Sequence, residues 1–291
     1  MIKDKIHSFY SKNYKILMLI PIIITILSLV YTGIFYNSTG DFFKKDVTLK
    51  GGISATIYTQ QELSEENIAN ELEVDSTIRK LSDETGNKIG YIIEVSGLTS
   101  AQLKEKLENI INIKLTDDNF SIEETGPKLG QAFYKQLVIA VIFAFALMAL
   151  AVFVTFRTLI PSAAVVGAAF MDITITLAIV NYLKIEISTA GIIGFLLLIG
   201  YSVDTDILLT NWSIRKKEGI LFDRMYHSMK TGLTMTACAI GVMLIGITIS
   251  NSTVIKEMFT IILIGLIVDI FSTYLTNSGI LWNYCKRKNI T

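Results

Sequence analysis

Four aspartates, Asp172, Asp204, Asp206 and Asp269, fall inside long apolar stretches that hold no Lys or Arg. A charged carboxylate at the centre of a hydrocarbon core costs about 2.5–3.5 kcal/mol, so each needs a polar cavity, a proton or a partner. Spread over three stretches, they point to a polar seam through a helix bundle. Asp206 lines up at helical spacing with Ser202 and Thr210, and Asp204 with Gly200, Tyr201 and Leu208. Two positions apart on a helix is about 200°, so the two acids cannot share a face. Asp269 continues into Ser272, Thr273 and Thr276, and Asp172 into Thr176. The competing reading is that the carboxyls are neutral and only hydrogen-bond neighbouring helices. For Asp204 and Asp206 that reading is weaker, because two acids within three residues are redundant as packing glue.

Nothing else in the chain offers catalytic chemistry. Cys238 and Cys285 read as ordinary small residues, and His7 and His227 sit beside charged segments. Neither a metal nor a cofactor is expected, and neither is enzymatic activity.

The elements that must position the acids are membrane-spanning helices. Of 291 residues, 51% are hydrophobic, and they cluster. A hydrocarbon core of about 30 Å needs about 20 apolar residues. Six runs qualify: 16–36, 137–156, 162–182, 188–210, 233–250 and 258–284. The first is too long for the apolar core of a secretory signal and lacks a small-residue cleavage site, so it reads as an uncleaved anchor. The fold class expected is a polytopic α-helical membrane protein with six transmembrane helices and one external α+β domain between the first two.

Basic residues set the orientation. Lys3, Lys5, Lys12, Lys15, Arg157, Arg215, Lys216, Lys217, Arg224, Lys230, Lys286, Arg287 and Lys288 fall on one side, against Lys184 and Lys256 in the short opposite loops. Positive-inside insertion then puts residues 1–15 and 285–291 in the cytoplasm. The connection 37–136 is external, and in it acids outnumber bases. Its pattern reads β-α-β-α-β: strand 53–59, helix 65–72 after Ser64, strand 88–96, helix 100–113 after Thr99, and strand 120–124. That order resembles a ferredoxin-like domain. The inner loop 211–232 mixes Ile214, Ile220, Leu221 and Met225 with basic residues and reads as an amphipathic segment on the inner leaflet. Asn37 and Asn251 head sequons on the external side. Gly191, Gly194 and Gly200, with Ala163, Ala164, Gly167 and Ala168, allow close helix packing.

The stretch Gly191-Ile192-Ile193-Gly194 through Gly200-Tyr201-Ser202-Val203-Asp204-Thr205-Asp206 resembles the signature span of SecF members of the SecD/SecF family of protein-export membrane proteins. Asp46-x-x-Leu49-Lys50-Gly51-Gly52 is similar to the family's entry into the external domain, and Gly126-Pro127-x-Leu129-Gly130 to its exit. Asp172, Arg215, Thr231-Gly232, Met235-Thr236 and Val268-Asp269 with Thr273 and Asn277 agree in order, in a pattern that looks archaeal. Bacterial members usually read Asp-Phe-x-Gly-Gly at the entry, and here the spacing is longer. The proton-driven scheme drawn for bacterial SecD/SecF uses charges on both subunits, whereas this chain's spans supply only acids.

The resemblance implies a non-enzymatic subunit in the cell membrane, partnered by a SecD homologue and a SecYEG-type channel, with unfolded preproteins as substrate and no nucleic acid. Asp172, Asp204, Asp206, Asp269, Ser202 and Thr273 would carry ion coupling. An alternative is a half-transporter of the resistance-nodulation-division (RND) superfamily exporting small molecules or lipids; one external domain and half the spans argue against it without a partner. An intramembrane aspartyl protease would need a Gly-x-Gly-Asp loop, and this span reads Gly200-Tyr201-Ser202-Val203-Asp204.

Overall fold

Away from water every backbone N–H and C=O must be satisfied within the segment, so the apolar stretches fold as helices. In the computed structural model, which describes residues 2–74, 76–82, 87–216, 219–250 and 252–290, long helices dominate. α1 (Ile2–Thr39) leads through the single turn α2 (Val47–Lys50) into a small α+β domain. Then come α5 (Pro127–Phe156), α6 (Leu159–Tyr182), α7 (Thr189–Ile214), α8 (Leu221–Ile249) and α9 (Thr253–Phe271). The last continues through a π-helical segment, Ser272–Asn277, into α10 (Ser278–Arg287). By length and composition α1, α5, α6, α7 and α8 could each cross a membrane. About 56% of the apolar window of α6 and of α7 is buried, against 6% for α5, which puts α6 and α7 at the centre.

The domain comprises β1 (Gly52–Tyr58), α3 (Glu65–Leu72), β2 (Ser76–Ser82), β3 (Lys88–Val95), α4 (Ser100–Ile111) and β4 (Phe120–Thr125). Its sheet has the order β2-β3-β1-β4, antiparallel throughout, with Ile53 opposite Val95 and Ala55 opposite Ile122. Alternate residues Ile53, Ala55 and Ile57 point to one face, where they meet Ile68 and Leu72 of α3 and Leu103 and Leu107 of α4. A reciprocal capping box between Thr99 and Gln102 starts α4, and Asn112 in the left-handed region ends it, two residues before the expected stop.

Strand β2 is absent from the sequence reading, so the order is β-α-β-β-α-β. Its segment, Ser-Thr-Ile-Arg-Lys-Leu-Ser, carries two charges and only two apolar residues. It pairs with β3 alone and is nowhere fully buried, and an edge strand tolerates that composition. The loop 211–232 also differs from expectation. Its first residues are the last turn of α7, and from Leu221 it is the start of α8. Leu221, Phe222 and Met225 are buried against Leu209, Leu281 and Trp282, so most of the apolar face that read as membrane-seeking packs inside the protein, while Ile220 stays exposed. Lys217 and Asn251 lie outside the described residues.

Domain and bundle are stitched together at one end. Ile187, between α6 and α7, donates to the Lys44 carbonyl at 2.7 Å and accepts from the Asp46 N–H at 3.1 Å. Thr189 N–H donates to Thr48 Oγ1 (3.2 Å), and Asn181 Nδ2 to the Phe42 carbonyl (2.9 Å). Glu186 ties in the sheet: it accepts from Thr77 at 2.9 Å and pairs with Lys44 at 2.9 Å. Arg79, 4.0 Å from Glu186, pairs with Glu94 at 2.5 Å.

Candidate functional site

Asp172 on α6, Asp206 on α7 and Asp269 on α9 come together at the bundle centre, each 0% exposed. Hydroxyls connect them. Ser202 on α7 donates to Asp172 Oδ2 at 2.5 Å, and Ser272 donates to its Oδ1. Thr205 lies 3.1 Å from Asp269 Oδ2. The Thr273 hydroxyl lies 2.9 Å from Asp206 Oδ1 and 3.1 Å from Asp269 Oδ1. It has one hydrogen, so it can serve only one carboxyl at a time. Asn277 Nδ2 also donates to Asp206 Oδ1, at 2.6 Å. Among the described residues, no Lys or Arg forms an ion pair with any of the three; the ion pairs lie in the domain and its junction.

The π-helical segment explains why one stretch supplies so many donors. A π turn widens the helix and re-aims its side chains, a device found at functional sites. Here it begins three residues after Asp269, and Ser272, Thr273, Thr276 and Asn277 are all buried. Periodicity of 3.6 marked Ser272, Thr273 and Thr276 as polar neighbours, but not the bridge from Thr273 to Asp206.

Asp204 departs from the expected seam. It is exposed, on the face of α7 that also exposes Ile193, Leu197, Gly200 and Tyr201. A Cβ on Gly200 would meet nothing within 4 Å, whereas Gly191 sits against Glu257 and Ile261, and Gly194 against Met258. The α7 glycines therefore divide: Gly191 and Gly194 admit α9, while Gly200 lies on an open surface.

The two terminal motifs of the domain turn out to be one contact. Gly51 caps α2 with φ of +84°, where a side chain would be strained. A Cβ on Gly52 would lie 2.5 Å from the Val95 carbonyl. Gly126 precedes α5 with Pro127 in its first turn. One turn on, a Cβ on Gly130 would lie 2.8 Å from Gly51 N and 3.0 Å from the Leu49 carbonyl, so entry and exit pack backbone to backbone. Arg215 donates to the Thr155 carbonyl at the end of α5 and lies over Phe156.

Two groups escaped the sequence reading. Glu257, in the first turns of α9, accepts the Ser188 N–H at 2.8 Å and so holds the start of α7. Arg224, read as an ordinary basic residue, is buried and donates to the carbonyls of Lys216 and Ile290 (the latter at 3.0 Å). Only tertiary packing reveals either.

A helical bundle with buried carboxyls gathered at its centre, and an α+β domain inserted after its first helix, is the architecture of a membrane protein. Residues 103–287 match the family model for the C-terminal region of the protein-export membrane proteins SecD and SecF. Over 295 residues the chain is 30% identical to protein-export membrane protein SecF of Pyrococcus furiosus, covering 99% of this chain and 97% of that one. It is 32% identical to SecF of Methanocaldococcus jannaschii, covering 94% and 96%. The chain belongs to the SecD/SecF family of protein-export membrane proteins, on its SecF side. Its fold matches the crystal structure of SecDF, a translocon-associated membrane protein from Thermus thermophilus, with a TM-score of 0.73 at 17% identity. The match covers 96% of this chain and 38% of that chain, so this chain spans well under half of the SecDF polypeptide.

Proposed function

We propose that this chain is an accessory subunit of Sec protein export that works with a SecD-type partner on a SecYEG-type channel and draws on an ion gradient. The observation that carries the reading is the hydroxyl-linked relay of Asp172, Asp269 and Asp206 in a protein-export family member. Moving one charge through 100 mV releases about 2.3 kcal/mol, enough to bias a conformational cycle on a side of the membrane that lacks ATP. The relay's own residues supply the mechanism. A proton arriving on Asp206 or Asp269 changes which carboxyl the Thr273 hydroxyl serves, and so the seating of the π-helical segment. Glu257 carries that movement along α9 to Ser188 and the start of α7, where Thr189, Ile187 and Glu186 grip the domain.

In this reading α9 through α10 is a sixth span, the domain is external and ferredoxin-like, and both termini are cytoplasmic, as the basic residues require. The domain contacts the emerging polypeptide, and the subunit performs no covalent chemistry. The exposed Asp204 faces the SecD-type partner, because a carboxylate bordered by acyl chains would be costly. The test replaces the wild-type chain with Asp206→Asn in its native cells. The variant should reach the membrane and keep its partner while preproteins accumulate; export at the wild-type rate would contradict the proposal.

A further inference from the structure

The relay needs access from both sides of the membrane, and the most obvious route outward is closed. Between Glu257 and Asp269 the contact of α7 with α9 is apolar, with Ile261 buried against Ile192 and Phe195, and Leu198 buried against Gly265. A Cβ on Gly265 would run into the Leu198 side chain, so no space for water exists there.

Buried oxygens without protein partners mark a different course. On the domain side of Asp172, one turn along α6, Thr176 Oγ1 is fully buried and unpartnered. α1 packs against α6 and the π-helical segment. Its buried positions Thr25, Ser28 and Thr32 recur at helical spacing, while the large apolar residues Ile24, Leu27 and Val30 are exposed. Thr32 Oγ1 is also buried and unpartnered. On the other side of the relay, Asp206 Oδ2, Asn277 Oδ1 and Thr210 Oγ1 are buried without partners. Thr210 lies one turn beyond Asp206 and is followed by the buried Ser213, whose hydroxyl donates to the Leu209 carbonyl at 2.7 Å. Buried polar atoms of this kind are normally satisfied by ordered water.

We infer that water reaches the relay through two offset arms: an external arm along α1 and α6 past Thr32, Ser28 and Thr176, and a cytoplasmic arm past Asn277, Thr210 and Ser213. The Leu198–Gly265 contact seals the bundle beside them. The offset makes Asp172 the external terminus of the relay and Asp206 its cytoplasmic terminus, with Asp269 between. This rests on the ion-relay reading above.

Single cysteines test it in a Cys238→Ser, Cys285→Ser background, with the full chain and its companion in right-side-out and inverted membrane vesicles. The probe is a small cationic methanethiosulfonate. Thr176→Cys should be modified from the external face and Thr210→Cys from the cytoplasmic face. Leu198→Cys should react roughly tenfold more slowly than either from both faces, a rate difference equal to about 1.4 kcal/mol. If a variant fails to reach the membrane, Ser28→Cys or Ser213→Cys takes its place. Labelling of positions 176 and 210 no faster than 198, or of both from the same face, would overturn the inference. No client protein is involved, so wrong labelling with gradient-dependent export condemns only the arms. Correct labelling without any export role condemns only the function.

Discussion

Asp204 and Asp206, two residues apart on α7, face opposite ways: Asp206 is buried beside Thr273 and Asn277, while Asp204 is exposed. The pair thus divides α7 into a relay face and an outward face. Replacement of each acid should separate the two roles. Asp206→Asn should slow export roughly tenfold or more, a barrier about 1.4 kcal/mol higher for each factor of ten, with the SecD-type partner still copurifying. Asp204→Leu should release the partner on affinity purification and leave the chain folded. Copurification assays on both variants, beside an export assay, decide this.

The Leu198–Gly265 contact should behave as a fitted pair. Gly265→Ala inserts a methyl where Leu198 sits, at a cost of about 1–3 kcal/mol. Leu198→Ala removes buried volume and should cost about 2–5 kcal/mol. Together they should cost less than their separate effects added, because the truncated leucine makes room for the new methyl. Thermal unfolding in detergent reads all three variants, and additivity would show that the two residues do not touch.

Glu186 should fasten the domain to the bundle. It accepts from Thr77, pairs with Lys44, and is itself nearly buried. Glu186→Ala removes charge-assisted bonds at a half-exposed junction, worth about 1–3 kcal/mol. Hydrogen exchange should rise at β2 and at residues 44–48 while the α6 and α7 centres stay protected. Unchanged exchange at β2 would show that the domain is held elsewhere.

Within the same cluster, burial pushes the Glu94 carboxyl above its usual range, although the neighbouring Arg79 guanidinium pulls it down. Burial works against the Arg79 charge too, but the charges of Glu94 and Glu186 outweigh it and raise Arg79. A carboxyl raised in the fold holds its proton more tightly folded than unfolded. Its stabilising contribution is therefore present below the usual carboxylate range and is lost as pH rises through the folded value. As pH rises from the ordinary glutamate value of about 4.3, the melting temperature of the wild type should fall relative to that of Glu94→Gln. Parallel curves would show that Glu94 titrates as it does in the unfolded chain.

Much of this was legible in the sequence. Aspartates without cations in apolar runs could only be solved by meeting one another or an outer surface, and Asp172, Asp206 and Asp269 meet. The 200° between Asp204 and Asp206 already required them to part, though not which would face inward. The capped helices after Ser64 and Thr99 fold as their caps and periodicity dictate. What stayed hidden depends on the fold around it. Strand β2 is an edge whose charges are answered by Glu65, Glu94 and Glu186 elsewhere in the chain. The apolar face from Leu221 to Met225 has the same pattern whether it meets lipid or Trp282. The π-helical segment leaves no mark in a 3.6-residue period, so the Thr273 bridge could not be read in advance.

Gradient-dependent translocation in proteoliposomes containing the channel, the SecD-type partner and this chain tests the central claim most directly. With wild type, imposing a gradient should speed preprotein release into the lumen, and with Asp206→Asn the same gradient should have no effect. Equal acceleration in both would contradict the account.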